Sequence, residues 1–210
     1  MSFTLHGIAV SSGIAIGHAH LISHTSLEVA HYVLPKQFIA EEIARFDAAL
    51  LATRNEFASL RSNRPTLAAA EFDGFLELHQ MILDDPLLSV APRDMIANEQ
   101  CNAEWALRVQ TEALAAQFDE FEDAYLRERQ TDVKQVAERL LKQLLGKPGH
   151  VLPPARHDVE MILVAHDLSP ADLIQFKPHQ YAAFITDLGG ATSHTAIVAR
   201  SLNTPCVVGL

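Results

Sequence analysis

The hydrophobic pattern divides the chain into three segments with different periods. Residues 1–30 mix short apolar runs with Gly and Ser, as in "GIAVSSGIAIGHAHLI", which predicts short strands joined by tight turns. From Pro35 to Leu145 apolar residues recur every three or four positions, which predicts amphipathic helices. Beyond residue 158 strand-like and helix-like runs alternate, which predicts an α/β unit.

The middle segment is predicted to contain several long helices. The apolar stripes that define them cover Ile39–Leu60, Phe72–Leu83, Pro92–Phe121 and Asp132–Leu145. The second stripe stops at the "DDP" run of residues 84–86, and the fourth meets Gly146, a residue that commonly follows a helix end. Antiparallel helices with short connections make a helical bundle.

The last segment is predicted to alternate three strands with two helices. The strand-like runs are "VEMILVA", "YAAFITD" and "PCVVGL", and the helix-like runs are "LSPADLI" and "HTAIVARSLN". Ser169 is placed to cap the first of these helices, with Pro170 at its first position. The run "GKPGHVLPPARHD", residues 146–158, is rich in Pro and Gly without periodicity and is interpreted as a linker.

These segments predict a mixed α+β and α/β fold with two domains. The C-terminal α/β segment is short for an independent domain, so the N-terminal strands are expected to complete it. The predicted α/β domain is therefore discontinuous, formed by residues 1–30 and 150–210, with a helical bundle at residues 33–146 inserted between its parts. Because the chain stops on a strand, we also expect the α/β domain to be truncated and the chain to be a fragment.

Charge and composition narrow the possible partners. The chain has 26 acidic and 16 basic residues, a net charge of −10, which disfavours nucleic acids and anionic membranes and favours a basic partner. No apolar run approaches the roughly 20 residues of a membrane span, and the N-terminus lacks the basic region of a signal peptide. The cysteines, Cys101 and Cys206, form no metal or disulfide motif. These features predict a soluble cytoplasmic protein.

His194 is the strongest candidate for chemistry. It follows the predicted strand and the run "DLGGATS", and it opens the predicted helix "HTAIVARSLN". A helix N-terminus offers unpaired N–H groups and the positive end of the helix dipole to an anion. Gly189 and Gly190 leave room for another molecule to approach. The residues expected to stabilise a phosphoryl group are Gly189, Gly190, Thr192, Ser193 and Thr195.

Chemistry alone leaves several interpretations of this histidine open. A phosphohistidine carrier would use the ring as nucleophile and hold the phosphoryl group as a phosphoramidate. A histidine at a helix start is also commonly a cap or a surface residue, and a Gly-Gly loop can cradle a nucleotide phosphate, although GxGxxG and GxxxxGK[ST] are absent. A metal site is not predicted, because the other N-terminal histidines lack ligand spacing: His6, His18, His20, His24 and His31.

The run "GGATSHTAIVARSLNTPCVVG" resembles the active-site signature of the PEP-utilising phosphotransferases. Within them the chain is similar to the N-terminal half of Enzyme I of the bacterial PEP:sugar phosphotransferase system. The runs "GIAVSSGIAIGHA", "LHQMILDDP", "YLRERQTDVKQVAERLLKQLLG" and "ILVAHDLSPAD" occur in that family's order and spacing. Pyruvate phosphate dikinase and PEP synthase share the signature but lack a helical bundle inserted at this place.

The resemblance implies roles for two residues of the α/β domain. His194 matches the phosphorylated histidine, with transfer through Nε2, and Ser169 matches a hydroxyl residue that bonds the other ring nitrogen. Ser169 can equally be an ordinary helix cap, and the two roles can coexist. Ala191 stands where Enzyme I usually has Arg, which removes a cation from the neighbourhood of the phosphoryl group.

The resemblance also implies that the bundle binds HPr, the small phosphocarrier protein. The matching positions are Glu71, His79, Met81, Ile82, Asp84, Asp85 and Arg129. Apolar groups ringed by carboxylates suit a basic partner site. Ile82 and His79 can instead belong to the bundle core, and the carboxylates to a solvated face.

The resemblance further implies a longer protein that takes phosphate from phosphoenolpyruvate with Mg²⁺ in a C-terminal barrel, through which it dimerises. The 210 residues are then expected to be monomeric, to hold no cofactor, and to exchange phosphate with HPr but not to react with phosphoenolpyruvate. A nitrogen-branch paralogue with a regulatory HPr-like partner is the main rival, although such paralogues normally carry a sensory domain ahead of the first strand. A non-catalytic docking module is the third interpretation.

Overall fold

The computed structural model of the protein describes residues 4–22, 29–63, 69–146, 160–176 and 180–210. The predicted linker therefore lies almost entirely outside the described residues, as does His24. The strands of the described ranges are β1 (Ile8–Ser11), β2 (His18–Ile22), β3 (Met161–Ala165), β4 (Ala183–Thr186) and β5 (Cys206–Val208). The helices are α1 (Ile39–Asn63), α2 (Ala69–Asp84), α3 (Pro86–Ser89), α4 (Ala91–Glu99), α5 (Ala103–Asp119), α6 (Ala124–Leu144), α7 (Pro170–Gln175) and α8 (His194–Ser201).

The five strands form one sheet in the order β1-β5-β4-β3-β2. Strands β2, β3, β4 and β5 are parallel to one another, and β1 is antiparallel to β5 at one edge. The sheet thus takes strands from both ends of the sequence. Between Ala9 and Ser11 the register with β5 shifts, because Val10 is an extra residue that forms a bulge.

The chain divides into two compact units. The first comprises Met1–Ser26, Leu60–Leu76 and Val151–Leu210, and the second comprises Leu27–Ser59 and Glu77–His150. The first unit therefore contains the sheet, α7 and α8, together with the end of α1 and the first half of α2. The sequence-based boundaries had assigned residues 60–76 to the helical bundle instead.

The apolar stripes of the second unit form its core. Fully buried side chains on α1, α2, α3, α4, α5 and α6 include Phe46, Leu50, Phe57, Leu83, Leu88, Ile96, Leu107 and Leu140. In the first unit the buried set comes from the sheet and its helices, including Leu163, Leu173, Phe184, Val198 and Val208. Cys101 and Cys206 are both free and buried, in agreement with the sequence.

Two predicted helices of the middle segment were wrong in extent. The stripe from Pro92 to Phe121 is broken into α4 and α5, because Gln100 adopts a left-handed conformation with φ 55° and ends α4. The fourth helix begins at Ala124, eight residues earlier than the predicted Asp132. The strands and helices predicted after residue 158 are otherwise confirmed, while Ile14 and Ile16 lie between β1 and β2 rather than in a strand.

A polar cluster ties three helix ends together inside the second unit. Arg45 of α1 pairs with Glu42 at 2.6 Å and with Glu104 of α5 at 2.8 Å, and it donates to the Leu144 carbonyl of α6 at 3.0 Å. Asn102 donates to Glu104 at 3.0 Å. Burial raises the pKa of Glu104, but the hydrogen bonds from Arg45 and Asn102 outweigh it and hold that pKa below its usual value.

We predict that Glu104→Gln destabilises the protein by about 1–3 kcal/mol at pH 7, because Arg45 loses a charged partner in a half-buried site. A carboxylate with a depressed pKa stabilises the fold above its unfolded pKa of about 4.3, and the contribution is lost as the pH falls through the lower folded value. The difference between wild type and variant should therefore shrink in urea unfolding as the pH is lowered from 7 toward 3.

Glu112→Gln is the matched control. Glu112 pairs with Arg108 on the exposed surface of α5, so its loss should cost at most about 0.5 kcal/mol. Equal losses for the two variants at pH 7 would contradict the role given to the cluster.

Candidate functional site

The site lies at the edge of the sheet where the parallel strands β3 and β4 end. Backbone bonds extend their pairing past the strands, since the Asp187 N–H donates to the Ala165 carbonyl at 3.2 Å and the Leu188 N–H donates to the His166 carbonyl at 3.0 Å. The Thr186 hydroxyl also donates to the Leu188 carbonyl at 2.7 Å. These bonds fix the first half of the loop at residues 187–193, which we call the glycine loop.

The second half of the glycine loop turns tightly into α8. Gly189 has φ +110°, a conformation that side chains strongly disfavour, and a Cβ there would lie 3.0 Å from the Ser193 Oγ. A Cβ on Gly190 would meet no atom within 4 Å, so the space in front of this residue is open. The Ser193 N–H donates to the Gly190 carbonyl at 3.1 Å and closes the turn.

Helix α8 begins at His194, as the sequence predicts. Ser193 is its N-cap, and the Ser193 Oγ accepts a bond from the Ala196 N–H at 3.3 Å. The His194 side chain is half-buried. A titratable ring thus stands at the first residue of a helix, directly after a turn with open space beside it.

The hydroxyl residues around His194 have different environments. Thr192 is exposed and Ser193 is half-buried. Thr195 is buried, and its hydroxyl donates to the Leu168 carbonyl at 3.5 Å. The Thr195 hydroxyl is thus directed at the segment just before α7, and its predicted contact with a phosphoryl group stays a prediction.

Ser169 caps α7, which packs against α8. Its hydroxyl accepts from the Asp172 N–H at 3.2 Å, and its own N–H donates to the Asp172 carboxylate at 3.2 Å, which together form a capping box. The hydroxyl also donates to the same carboxylate at 2.6 Å. The contact between Leu168 and Thr195 brings together the chain neighbours of Ser169 and His194. The helix-cap role expected for Ser169 is confirmed, and its predicted bond to the His194 ring stays a prediction.

Three contacts at the site involve residues that the sequence did not single out. The Phe75 ring of α2 packs against the His194 ring, with 4.3 Å between centroids and an angle of 68°. His166 Nδ1 lies 3.1 Å from the Asp187 carboxylate. The Arg200 guanidinium donates to the Ala191 carbonyl at 2.9 Å and to the Val10 carbonyl at 3.4 Å. A cation therefore contacts Ala191, the position at which Enzyme I usually has Arg.

The predicted partner-binding residues are not equally available. Met81 is 68% exposed, and Ile82 is half-buried. His79 is only 1% exposed, with its Nε2 3.6 Å from Asp132, which also pairs with Arg129 at 3.0 Å. The His79 ring therefore lies in the core of the second unit, one of the two alternatives that the sequence left open, and its role in partner binding stays a prediction.

The acidic members of that set have partners within the chain. Glu71 accepts a bond from the Ser201 hydroxyl of α8 at 2.9 Å. Asp84 pairs with Arg54 at 2.7 Å, and Asp85 caps α3 by accepting from the Leu87 N–H at 2.8 Å. Their side chains thus have structural roles, and a role in partner binding stays a prediction.

The comparison with protein families covers most of the chain. The family described as PEP-utilising enzyme, N-terminal, matches residues 6–129, and the family described as PEP-utilising enzyme, mobile domain, matches residues 158–210. The chain belongs to the PEP-utilising enzymes. The mobile-domain match contains β3, β4, β5, the glycine loop and α8, whereas Phe75 and Val10 lie outside it.

Relatives within the PEP-utilising enzymes agree with this assignment. The chain is 48% identical to the phosphoenolpyruvate-protein phosphotransferase of Cupriavidus necator, and the match covers 100% of this chain and 37% of that protein. The NMR solution structure of Enzyme I (nEIt) matches with a TM-score of 0.75 at 34% identity, over 99% of this chain and 83% of that one. The N-terminal domain of Enzyme 1 - Nitrogen matches with a TM-score of 0.63 at 27% identity, over 97% of this chain and 82% of that one.

The described residues contain neither a candidate membrane span nor a candidate metal site. Over these ranges, none of the helices combines the length and the apolar character that a membrane crossing requires. Within the same part of the chain, no three His, Cys, Asp or Glu side chains come together in a way that could hold a metal ion.

Gly189→Ala should destabilise the protein by about 1–3 kcal/mol, because a side chain at φ +110° is strained and its Cβ crowds Ser193. Gly190→Ala is the matched control, since its methyl group would enter open space, and it should change the free energy of unfolding by less than about 0.5 kcal/mol. Urea unfolding of both variants checks this, and equal losses would show that the turn does not require Gly189.

Ser169→Ala should cost about 1 kcal/mol, because the Asp172 N–H at the start of α7 loses its cap. Ser169→Thr retains the hydroxyl and should recover most of that loss. Thermal unfolding of the three proteins measures the effect, and a Thr variant as unstable as the Ala variant would argue against capping by the hydroxyl.

Proposed function

We propose that this chain is the N-terminal part of a phosphoenolpyruvate-protein phosphotransferase of the Enzyme I type. His194 receives the phosphoryl group of phosphoenolpyruvate and passes it to a histidine of HPr, the first step of sugar uptake by the phosphotransferase system. The observation that carries the proposal is the half-buried His194 ring at the first residue of α8, beside the open space at Gly190. Relatives that bear this enzyme's name support it, although the chain spans 37% of the first of them.

The reaction consists of two phosphoryl transfers. The first runs from the enol oxygen of phosphoenolpyruvate to a His194 nitrogen, and the second from that nitrogen to a histidine nitrogen of HPr. A His194 ring nitrogen attacks the phosphorus of phosphoenolpyruvate, the bond from phosphorus to the enol oxygen breaks, and the enolate takes a proton to become pyruvate. The HPr histidine then attacks the same phosphorus from the opposite side, and the N–P bond to His194 breaks. Each transfer requires the attacking atom in line and within about 3–3.5 Å.

The chain supplies electrostatic stabilisation for the phosphoryl group between these transfers. The N–H groups of the first turn of α8 and its dipole favour an anion on His194. The proposed local contacts of the phosphoryl group are Gly189, Gly190, Thr192, Ser193 and Thr195. Arg200, bonded to the Ala191 carbonyl, supplies the cation that residue 191 lacks. Ser169 is proposed to fix the ring orientation in addition to capping α7.

The wider arrangement is also part of the proposal. The α/β phosphohistidine domain is discontinuous and includes both ends of the sequence, which the mixed origin of the sheet strands supports. HPr docks on the helical bundle around Met81 and Ile82, with Arg129, the acidic residues of α2 and the net charge of −10 attracting a basic surface. Phosphoenolpyruvate and Mg²⁺ bind to a further part of the longer protein, through which it also dimerises.

The decisive experiment is phosphate transfer from labelled phospho-HPr to the purified chain. We expect acid-labile, base-stable label on wild type and none on His194→Ala, because phosphohistidine is the only proposed carrier. His166→Ala is the matched control: it removes a second exposed histidine next to the same loop and should leave the labelling unchanged.

Two further arms separate the rival functions. If phosphoenolpyruvate and Mg²⁺ label the isolated chain, the proposal that phosphoenolpyruvate binds to another part of the longer protein is contradicted. The similarity to the N-terminal domain of Enzyme 1 - Nitrogen makes a nitrogen-branch function the second candidate, and faster transfer from a regulatory HPr-like protein than from HPr would favour it. A folded wild type that accepts label from neither protein would support a docking module.

A further inference from the structure

The ring contact between Phe75 and His194 assigns a further role at the site. Both side chains belong to the first unit, Phe75 on the first half of α2 and His194 at the start of α8. Their centroids are 4.3 Å apart at an angle of 68°, the edge-to-face geometry in which aromatic pairs attract each other. Both are half-buried, so each ring covers part of the other from solvent.

A second contact fixes the same two helices against each other. The Ser201 hydroxyl in the last turn of α8 donates to Glu71 at 2.9 Å, one turn before Phe75 on α2. On the other side of this part of α2, Asp73 pairs with Arg61 at 3.3 Å. These two contacts therefore hold the part of α2 that carries Phe75.

We propose that Phe75 is a gate residue, which covers the resting His194 imidazole and excludes phosphoryl donors that do not displace it. The inference rests on the proposed function, since a gate matters only if His194 carries phosphate. A donor must bring its phosphorus within about 3–3.5 Å of a ring nitrogen and leave room for three equatorial oxygens. With 4.3 Å between the two centroids, the Phe75 ring occupies part of the space around the imidazole. Phe75 is thus a specificity-determining residue that protects His194 from small phosphoryl compounds.

Phosphoramidate is a small donor that tests the gate without any protein partner. The ring nitrogen forms a bond to phosphorus, the P–N bond breaks with its electron pair going to ammonia, and ammonia takes the proton released by the imidazole. We expect Phe75→Leu to raise the initial rate of His194 phosphorylation about two- to tenfold, the range that corresponds to loss of one aromatic pair. Phe75→Tyr keeps the aromatic ring and should restore a rate close to wild type.

The controls separate gating from a general loosening of the fold. Phe38→Leu removes an exposed aromatic ring that belongs to the second unit. It should therefore leave the rate of phosphorylation by phosphoramidate unchanged. In NMR spectra the His194 ring protons should move toward their unstructured shifts in Phe75→Leu and not in Phe38→Leu, because the ring current of Phe75 is lost. This signature is also measurable at low temperature should the Leu variant be less stable.

Each outcome decides the gate and the proposed function separately. A Phe75→Leu rate equal to or below wild type overturns the gate, whatever happens with HPr. A raised phosphoramidate rate with no labelling from phospho-HPr in any variant supports the gate while rejecting the proposed function. A Phe75→Tyr rate as high as that of Phe75→Leu also overturns the gate, because an aromatic ring would then give no protection.

Discussion

The parallel pairing of β3 with β4 is the interaction on which the site depends. It brings the carboxyl ends of both strands to one edge of the sheet, and its hydrogen bonds continue through Asp187 and Leu188 into the glycine loop. Ligand sites of open α/β sheets commonly lie at this edge, where loops converge and the following helices begin. Both helix starts discussed here, Ser169 and His194, follow from it. Fixing the loop at its base leaves only the short turn at Gly189 and Gly190 to orient the imidazole.

Much of the fold could be predicted from the sequence because local signals agree with one another. Ser169-Pro170 marks the start of α7, and His194 the start of α8, by capping rules that depend on a few neighbouring residues. The break between α4 and α5 could not be predicted in this way. No Gly or Pro marks it, and Gln100 takes a left-handed conformation that its residue type does not announce.

The site was predictable to the extent that it follows the chain. His194, its capping serine and the glycine turn are contiguous, so a single sequence shows them together. Phe75 reaches the same site from α2, and Arg200 reaches it from the other end of α8. Only the three-dimensional structure reveals these two contacts. His79 is a case that the sequence left open between core and interface, and the structure buries its ring in the core near Asp132. Helical periodicity defines a stripe but not which of its members faces a partner.

The bulge at Val10 has a consequence for the opposite end of the sequence. Arg200 donates to the carbonyl of the bulge residue Val10 and also to the carbonyl of Ala191. One guanidinium therefore joins the first strand to the turn before His194. Arg200 thus hydrogen-bonds two peptide groups that are about 180 residues apart in the chain. Alterations to the amino-terminal strand, including a shortened start or a fused tag, are thereby expected to affect the turn before His194 although they touch none of its residues.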